Sequence, residues 1–217
     1  MADDLGRRER KKQQTRERIA ETARGLFGER GFERVTVAEI AREADVAEQT
    51  VYNYFPTKED LVYWRLESFE EALLGAVRDR EPGESMPAAF GRWLLAQRGL
   101  LGETPLSPEL VALTRMITES PSLLDRERQI FARYADSLAG LIAEETGAAP
   151  GDVVPVVTAN ALLGVHRALI DYARRRILEG ARNPELKRDV RAQAEAALTA
   201  LEAGFGAART SGASSRR

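Results

Sequence analysis

The segment Thr36–Lys58, TVAEIAREADVAEQTVYNYFPTK, constrains this chain more than any other stretch. It reads as two short helices joined by a tight turn, then an aromatic cluster, a Pro break and the start of a further helix. Thr36 followed by Glu39 is a capping box, in which the two residues satisfy each other's free backbone N–H groups. The first helix sets Ile40, Ala41 and Ala44 on one face, and Ala41 is small enough for a crossing helix to approach. Asp45, Val46 and Ala47 make the turn, with Val46 as its apolar plug. The second helix buries Val51 and Phe55 and leaves Glu48, Gln49, Thr50 and Tyr52 on its N-terminal, outward side. One face anchors the pair and the other is free to enter a major groove, as a helix-turn-helix requires.

The flanks sharpen this reading. Ile19, Ala23, Leu26 and Phe27 form a helical apolar stripe, and Gly31 ends that helix so that Phe32 folds back onto it. The helix closes in LFGERGFERVTV, and the turn leads into TVYNYFPTKEDLV, where Thr57 and Asp60 form a second, weaker capping pair. Over Thr15–Val62 the order of these features resembles the N-terminal domain of the TetR family of bacterial transcriptional regulators. The remainder of the chain carries no motif-level resemblance.

Carried over residue by residue, the resemblance implies DNA contact at Thr36, Val37 and Ala38, at Glu48, Gln49, Thr50, Tyr52, Asn53 and Tyr54, and at Lys58. Chemistry suggests the roles. Gln49 can pair with adenine N6 and N7, Thr50 can touch a thymine methyl or a phosphate, and Glu48 can accept from cytosine N4 or cap its own helix. The hydroxyls of Thr36, Tyr52 and Tyr54 suit phosphate oxygens, one of the two tyrosines being expected in the core. Lys58, at a helix start, combines its charge with free N–H groups toward a phosphate. Two positions depart from the family pattern. Asp45 stands where Gly is common, at a cost of about 1 kcal/mol, and Ala47 stands where a Ser or Thr cap is common, at about 0.5–2 kcal/mol.

Charge supports a polyanionic partner locally rather than globally. The chain carries 32 Lys and Arg against 34 Asp and Glu, a net charge of -2. Within residues 7–24, however, Arg7, Arg8, Arg10, Lys11, Lys12, Arg16, Arg18 and Arg24 face only Glu9, Glu17 and Glu21. Such an arm supplies sequence-independent phosphate affinity. The chain has no Cys and a single His, His166, which excludes disulfides and thiolate metal sites and leaves no triad or His-rich zinc site. No cofactor, metal or enzymatic activity is expected. No apolar run approaches the ~20 residues of a membrane span, so the chain reads as cytoplasmic.

The periodicity predicts an all-α chain, and the resemblance to the TetR family implies an N-terminal three-helix helix-turn-helix domain and a C-terminal helical domain for effector binding and dimerisation. The DNA-binding domain is placed at 9–57, the helical domain at 58–208 and a disordered tail at 209–217, with residues 1–8 also expected to be disordered. A single long helix is predicted over 58–78, with Val62, Leu66, Phe69, Leu73 and Val77 on one side. Glu81–Ser85 is a linker, and further helices are expected near 87–101, 107–119, 122–146, 151–178 and 184–208.

The last two helices are the expected dimer seam. Val190, Ala194, Ala197, Leu198, Leu201 and Phe205 make one stripe, and the preceding helix, VVPVVTANALLGVHRALIDYARRRIL, is apolar on most sides. Ala161 and Gly164 would let helices approach closely. Polar or aromatic residues in apolar helical contexts are the effector candidates: Trp93, Met116, Phe131, Tyr134, Asn160 and His166, with Arg115 and Tyr172 beside them. The combined reading is a homodimeric, ligand-responsive regulator, a repressor released from a palindromic operator on double-stranded DNA by a small hydrophobic effector. The rivals are a constitutive DNA-binding protein without an effector and an all-α enzyme with an accessory DNA-binding domain.

Overall fold

The computed structural model describes residues 2–96 and 107–212. These residues form helices and connecting turns, with no strand among them: α1 (Ala2–Arg30), α2 (Val37–Glu43), α3 (Glu48–Tyr54), α4 (Asp60–Tyr63), a 3-10 turn (Trp64–Leu66), α5 (Glu67–Arg78), α6 (Met86–Ala96), α7 (Pro108–Glu119), α8 (Pro121–Thr146), α9 (Val154–Leu178) and α10 (Asn183–Gly212). The all-α expectation holds. The expected continuation of α6 to residue 101 lies outside the described residues.

Three boundaries differ from expectation. The first helix begins at Ala2 instead of near Glu9. Arg, Lys, Gln and Glu are good helix formers, and the 2.8 Å bond from Gln13 to Glu17 spans one turn. At the other end α10 runs on to Gly212, so residues 209–212 are helical in place of the expected disordered tail. The third difference bears on function: the single helix expected over 58–78 is broken by the Trp64–Leu66 turn. Tightening to three residues per turn changes which side faces inward. Leu61 and Tyr63 are buried before the break and Leu73 and Val77 after it, while Val62, Leu66 and Phe69 are only half-buried.

Packing divides the chain into two compact units, 1–67 with 115–127, and 68–114 with 128–217. In the first, Ile19, Ala23, Phe27, Ile40, Val51, Phe55 and Leu61 form the core. Gly31, in a left-handed conformation, ends α1, and Phe32 folds back to 5.1 Å from the Phe27 ring. The segment 115–127 is tied in by three bonds: Ser120 Oγ to Glu33 at 2.8 Å, Arg126 Nε to Asp60 at 2.8 Å, and the buried Tyr63 hydroxyl to the Leu123 carbonyl at 3.0 Å. None of these pairings is visible in the local sequence, since their members lie far apart in the chain.

The second unit packs α10 on α6 and α9. Gly91 makes room for Leu198: a Cβ there would stand 2.9 Å from a Leu198 methyl. Val190, Ala194 and Leu198 are therefore spent on the protomer's own core, which corrects their expected place in a dimer seam. Ala197 and Leu201 are half-buried, and the Phe205 side chain lies outside the described residues.

Candidate nucleic-acid interface and aromatic cluster

The local sequence builds the reading head in a few steps. The Thr36 hydroxyl accepts from the Glu39 N–H at 3.2 Å and donates to Glu39 Oε2 at 2.9 Å, while the Thr36 N–H donates to the same oxygen at 2.9 Å. Those bonds, led by the backbone donor of Thr36, hold the Glu39 carboxyl below its ordinary range. Asp45 takes the left-handed conformation, φ 51, in the turn. The Asp45 N–H donates to Arg42 O at 3.2 Å and the Val46 N–H to Ala41 O at 3.0 Å, the two bonds of a Schellman termination. Ala47 precedes α3 with no side-chain cap, so the recognition helix starts with free N–H groups.

Val51 and Phe55 anchor α3 in the core, and Glu48, Gln49, Tyr52 and Asn53 stand outward. Gln49 Nε2 donates to Asn53 Oδ1 at 3.2 Å, so one bond links the two amides side by side. Tyr52 is 41% exposed, whereas Tyr54 is half-buried, as is Thr50. Thr36 and Ala38 are exposed. Val37 is buried, so its side chain belongs to the core and only its backbone is left to a ligand. Lys58 is half-buried and turned inward: Nζ donates to Phe32 O at 3.0 Å and to Val35 O at 3.2 Å, and lies 4.1 Å from the Phe32 ring centre. It thus holds the exit of α1 and the entry to α2. Thr57 and Asp60 make the expected reciprocal bonds, at 2.8 to 3.3 Å.

Beside α3 an open groove of about 570 Å³ is lined by Glu9, Arg10, Lys12, Gln13 and Arg16 of α1 and by Asn53 and Tyr54 of α3. Three cations and one carboxylate make it a basic surface continuous with the reading head. Arg16 also lies 5.4 Å from the Phe55 ring centre, tying the arm to the core of the unit.

In the second unit Trp93, Phe131, Tyr134 and His166, four of the expected effector residues, come together and are buried. Phe69 lies among them, 4.7 Å from Trp93, 4.8 Å from His166 and 5.5 Å from Tyr134. Sequence reasoning assigned Phe69 to the core stripe of a helix and missed this role. Met116 belongs to the other compact unit, and Asn160 is exposed with its amide bonded to Val156 O at 2.9 Å. Arg115 is exposed and Tyr172 half-buried beneath Arg175. His166 Nδ1 is buried without a hydrogen-bond partner, and burial pushes the ring's pKa down to about 4. Among the described residues no cluster of acidic or imidazole groups is arranged to hold a metal, and no helix is long and apolar enough to cross a membrane.

Two family profiles match the chain. "Bacterial regulatory proteins, tetR family" covers residues 19–63, which include all the outward α3 side chains, and "MftR C-terminal domain" covers residues 107–206. The HTH-type transcriptional regulator TcmR of Streptomyces glaucescens is 28% identical over 146 residues, 65% of this chain and 65% of TcmR. The nucleoid occlusion factor SlmA of Haemophilus influenzae is 33% identical over 110 residues, 51% of this chain and 48% of SlmA. The matched region is thus less than two thirds of TcmR and about half of SlmA. Among solved structures, native NalD, the secondary repressor of the MexAB-OprM multidrug efflux pump in Pseudomonas aeruginosa, shares the fold with a TM-score of 0.54 at 18% identity, over 86% of this chain and 96% of NalD.

Proposed function

Because this chain belongs to the TetR family of bacterial transcriptional regulators, we propose that it binds a palindromic operator as a homodimer and represses transcription until a small apolar effector releases it. The observation that carries the DNA reading is the division of α3: Val51 and Phe55 are sunk in the core while Glu48, Gln49, Tyr52 and Asn53 face outward. A seven-residue helix so anchored offers its free N-terminal turn and amide edge to a major groove. Gln49 and Asn53 exchange their mutual bond for base edges, Thr36, Thr50 and the tyrosines meet the backbone, and Lys58 fixes the α1–α2 corner on which Thr36 and Ala38 ride. Selection of binding sites from a random duplex pool tests it. Gln49→Ala is expected to relax base preference at one position per half-site by about 1–3 kcal/mol, whereas Lys58→Ala weakens every sequence alike. Identical specificity profiles for the two variants would show that their roles are misassigned.

Operator palindromy needs two copies, and the surface of α9 favours that. Val153, Val154, Val156 and Val157 are 67, 62, 50 and 58% exposed, an apolar patch that continues past Asn160 to the open Gly164. The outer side of α10 offers Ala192, Ala196, Ala200 and Ala203. We place the two-fold seam on these outward faces, in place of the α10 stripe. Val157→Arg leaves the protomer's core intact and is expected to give a folded monomer by light scattering, with operator affinity sharply reduced. A dimeric Val157→Arg protein would put the seam elsewhere.

A second reading, DNA binding without an effector, draws on the close packing of the aromatic cluster, in which Phe69 lies 4.7 Å from Trp93 and 4.8 Å from His166. The two readings part on whether any tightly bound small molecule alters operator affinity.

A further inference from the structure

The compact unit that carries the reading head is not built from N-terminal residues alone. It includes residues 115–127, which lie inside the stretch matched by the C-terminal profile, 107–206. Within that segment Ile117, Ser120 and Leu123 are buried. The corner between α7 and α8 grips both supports of the helix-turn-helix at once. Ser120 Oγ donates to Glu33 Oε1 at 2.8 Å, just ahead of the Thr36 cap. Arg126 Nε donates to Asp60 Oδ1 at 2.8 Å, while the other oxygen of that carboxylate accepts from the Thr57 N–H and hydroxyl at 3.0 and 2.8 Å. One carboxylate therefore holds the turn into α4 and fastens it to α8. Between the two grips, Lys58 Nζ bonds the Phe32 and Val35 carbonyls on either side of Glu33. Because α3 packs on α2 and α4 on α1, a shift at either grip moves the reading head.

We propose that Arg126 and Ser120 are positioning residues for operator binding, which from outside the N-terminal profile fix the α1–α2 corner and the start of α4, and with them the seat of α3. That role rests on the operator reading of α3 and is independent of any effector. Arg126 acts through Asp60 rather than on a phosphate, since its charge is matched by that carboxylate. The two side chains are 25% and 15% exposed, so water and salt screen this pair less than a fully open one. A support of this kind raises affinity by pre-organisation: the ordering of the head is completed on folding and need not be repeated on DNA.

The test measures affinity for the duplex selected by the wild-type protein, and for single-base variants of it, across a range of salt. Full chains carrying Arg126→Ala, Arg126→Lys and Arg133→Ala are compared with wild type, and urea unfolding checks that each is folded under the assay conditions. A reading head held in place about one tenth as often binds about tenfold more weakly, so Arg126→Ala is expected to lose about that factor on every duplex alike. Its salt slope should match wild type, because no phosphate contact is lost. The lysine amine lies one bond further out than the Arg Nε, so Arg126→Lys reaches the same carboxylate and should stay within about threefold of wild type. Arg133→Ala removes an equal charge further along α8, where Arg133 pairs with Glu70, and should bind as wild type does. Wild-type affinity in Arg126→Ala overturns the proposal, as does an equal loss in Arg126→Lys or in Arg133→Ala. So does a salt slope lowered by about 0.9 per protomer, the mark of a direct phosphate contact. Should Arg126→Ala fail to fold, Ser120→Ala carries the test. It frees Glu33, an exposed carboxylate that water then serves, and should weaken every duplex by about threefold. Unchanged affinity there overturns the role. If the wild-type protein selects no sequence at all, the operator reading falls and this role with it. If Gln49→Ala relaxes the selected sequence while Arg126→Ala binds as wild type does, only the positioning role falls.

Discussion

Operator affinity is expected to fall about 10³–10⁵-fold as salt rises from about 50 to 200 mM, the behaviour of a protein that neutralises roughly 6–10 phosphates. The chain as a whole is slightly acidic, at a net charge of -2, so this attraction has to come from one place. That place is the α1 arm. Arg10, Lys12 and Arg16 line the groove that continues from Asn53 and Tyr54 of α3, with Glu9 as its only acid. Arg16 is partly committed to Phe55, so Arg10 and Lys12 are the cleaner pair to remove. Deleting one cation that neutralises a phosphate lowers the slope of log affinity against log salt by about 0.9, and in a dimer each deletion acts twice. Arg10→Ala/Lys12→Ala should therefore flatten the slope while leaving the order of preferred sequences unchanged. A flat plot for the wild-type protein on its selected duplex would remove the electrostatic part of the DNA reading.

The parts of this molecule that follow from local chemistry are legible in its sequence. The Thr36–Glu39 capping box, the Gly31 stop, the Phe27–Phe32 fold-back and the anchoring of Val51 and Phe55 all depend on residues a few positions apart. They appear where spacing puts them. The Trp64–Leu66 break is not legible, because an apolar repeat at Val62, Leu66, Phe69 and Leu73 is equally the signature of an unbroken helix. Nor can a stripe reveal whose core it enters. Val190, Ala194 and Leu198 form a true apolar face, yet it is buried inside the protomer, with Leu198 against Gly91 on α6, while among the described residues Val153, Val154, Val156 and Val157 are exposed. Lys58 shows the same limit. Its position before a helix suggests an anion, whereas its partners, the Phe32 and Val35 carbonyls, sit more than twenty residues earlier in the chain.

Stability is expected to fall by about 2 kcal/mol as pH is lowered from 7 to 5, and His166 is the residue responsible. Burial among Phe69, Trp93 and Phe131 pushes its pKa from an ordinary 6.5 down to about 4, since a charged imidazole there would lose its hydration and gain no carboxylate partner. The sign follows from proton counting. Below pH 6.5 the unfolded chain binds a proton at this residue and the folded chain does not until about pH 4. Acid therefore favours the unfolded state across that window, and above it the term is constant. At pH 5 the gap below the unfolded value is about 1.5 units, which at about 1.36 kcal/mol per unit gives the stated loss. Carboxylates held low, such as Glu39 and Glu84, titrate below their ordinary 4.5 and contribute little between pH 7 and 5. Urea unfolding of wild type and His166→Phe at the two pH values isolates the term. The phenyl ring keeps the stacking on Phe69 and cannot ionise, so the variant should lose most of the wild-type pH dependence over this range. Equal slopes in the two proteins would mean that His166 is solvated or paired in the folded state.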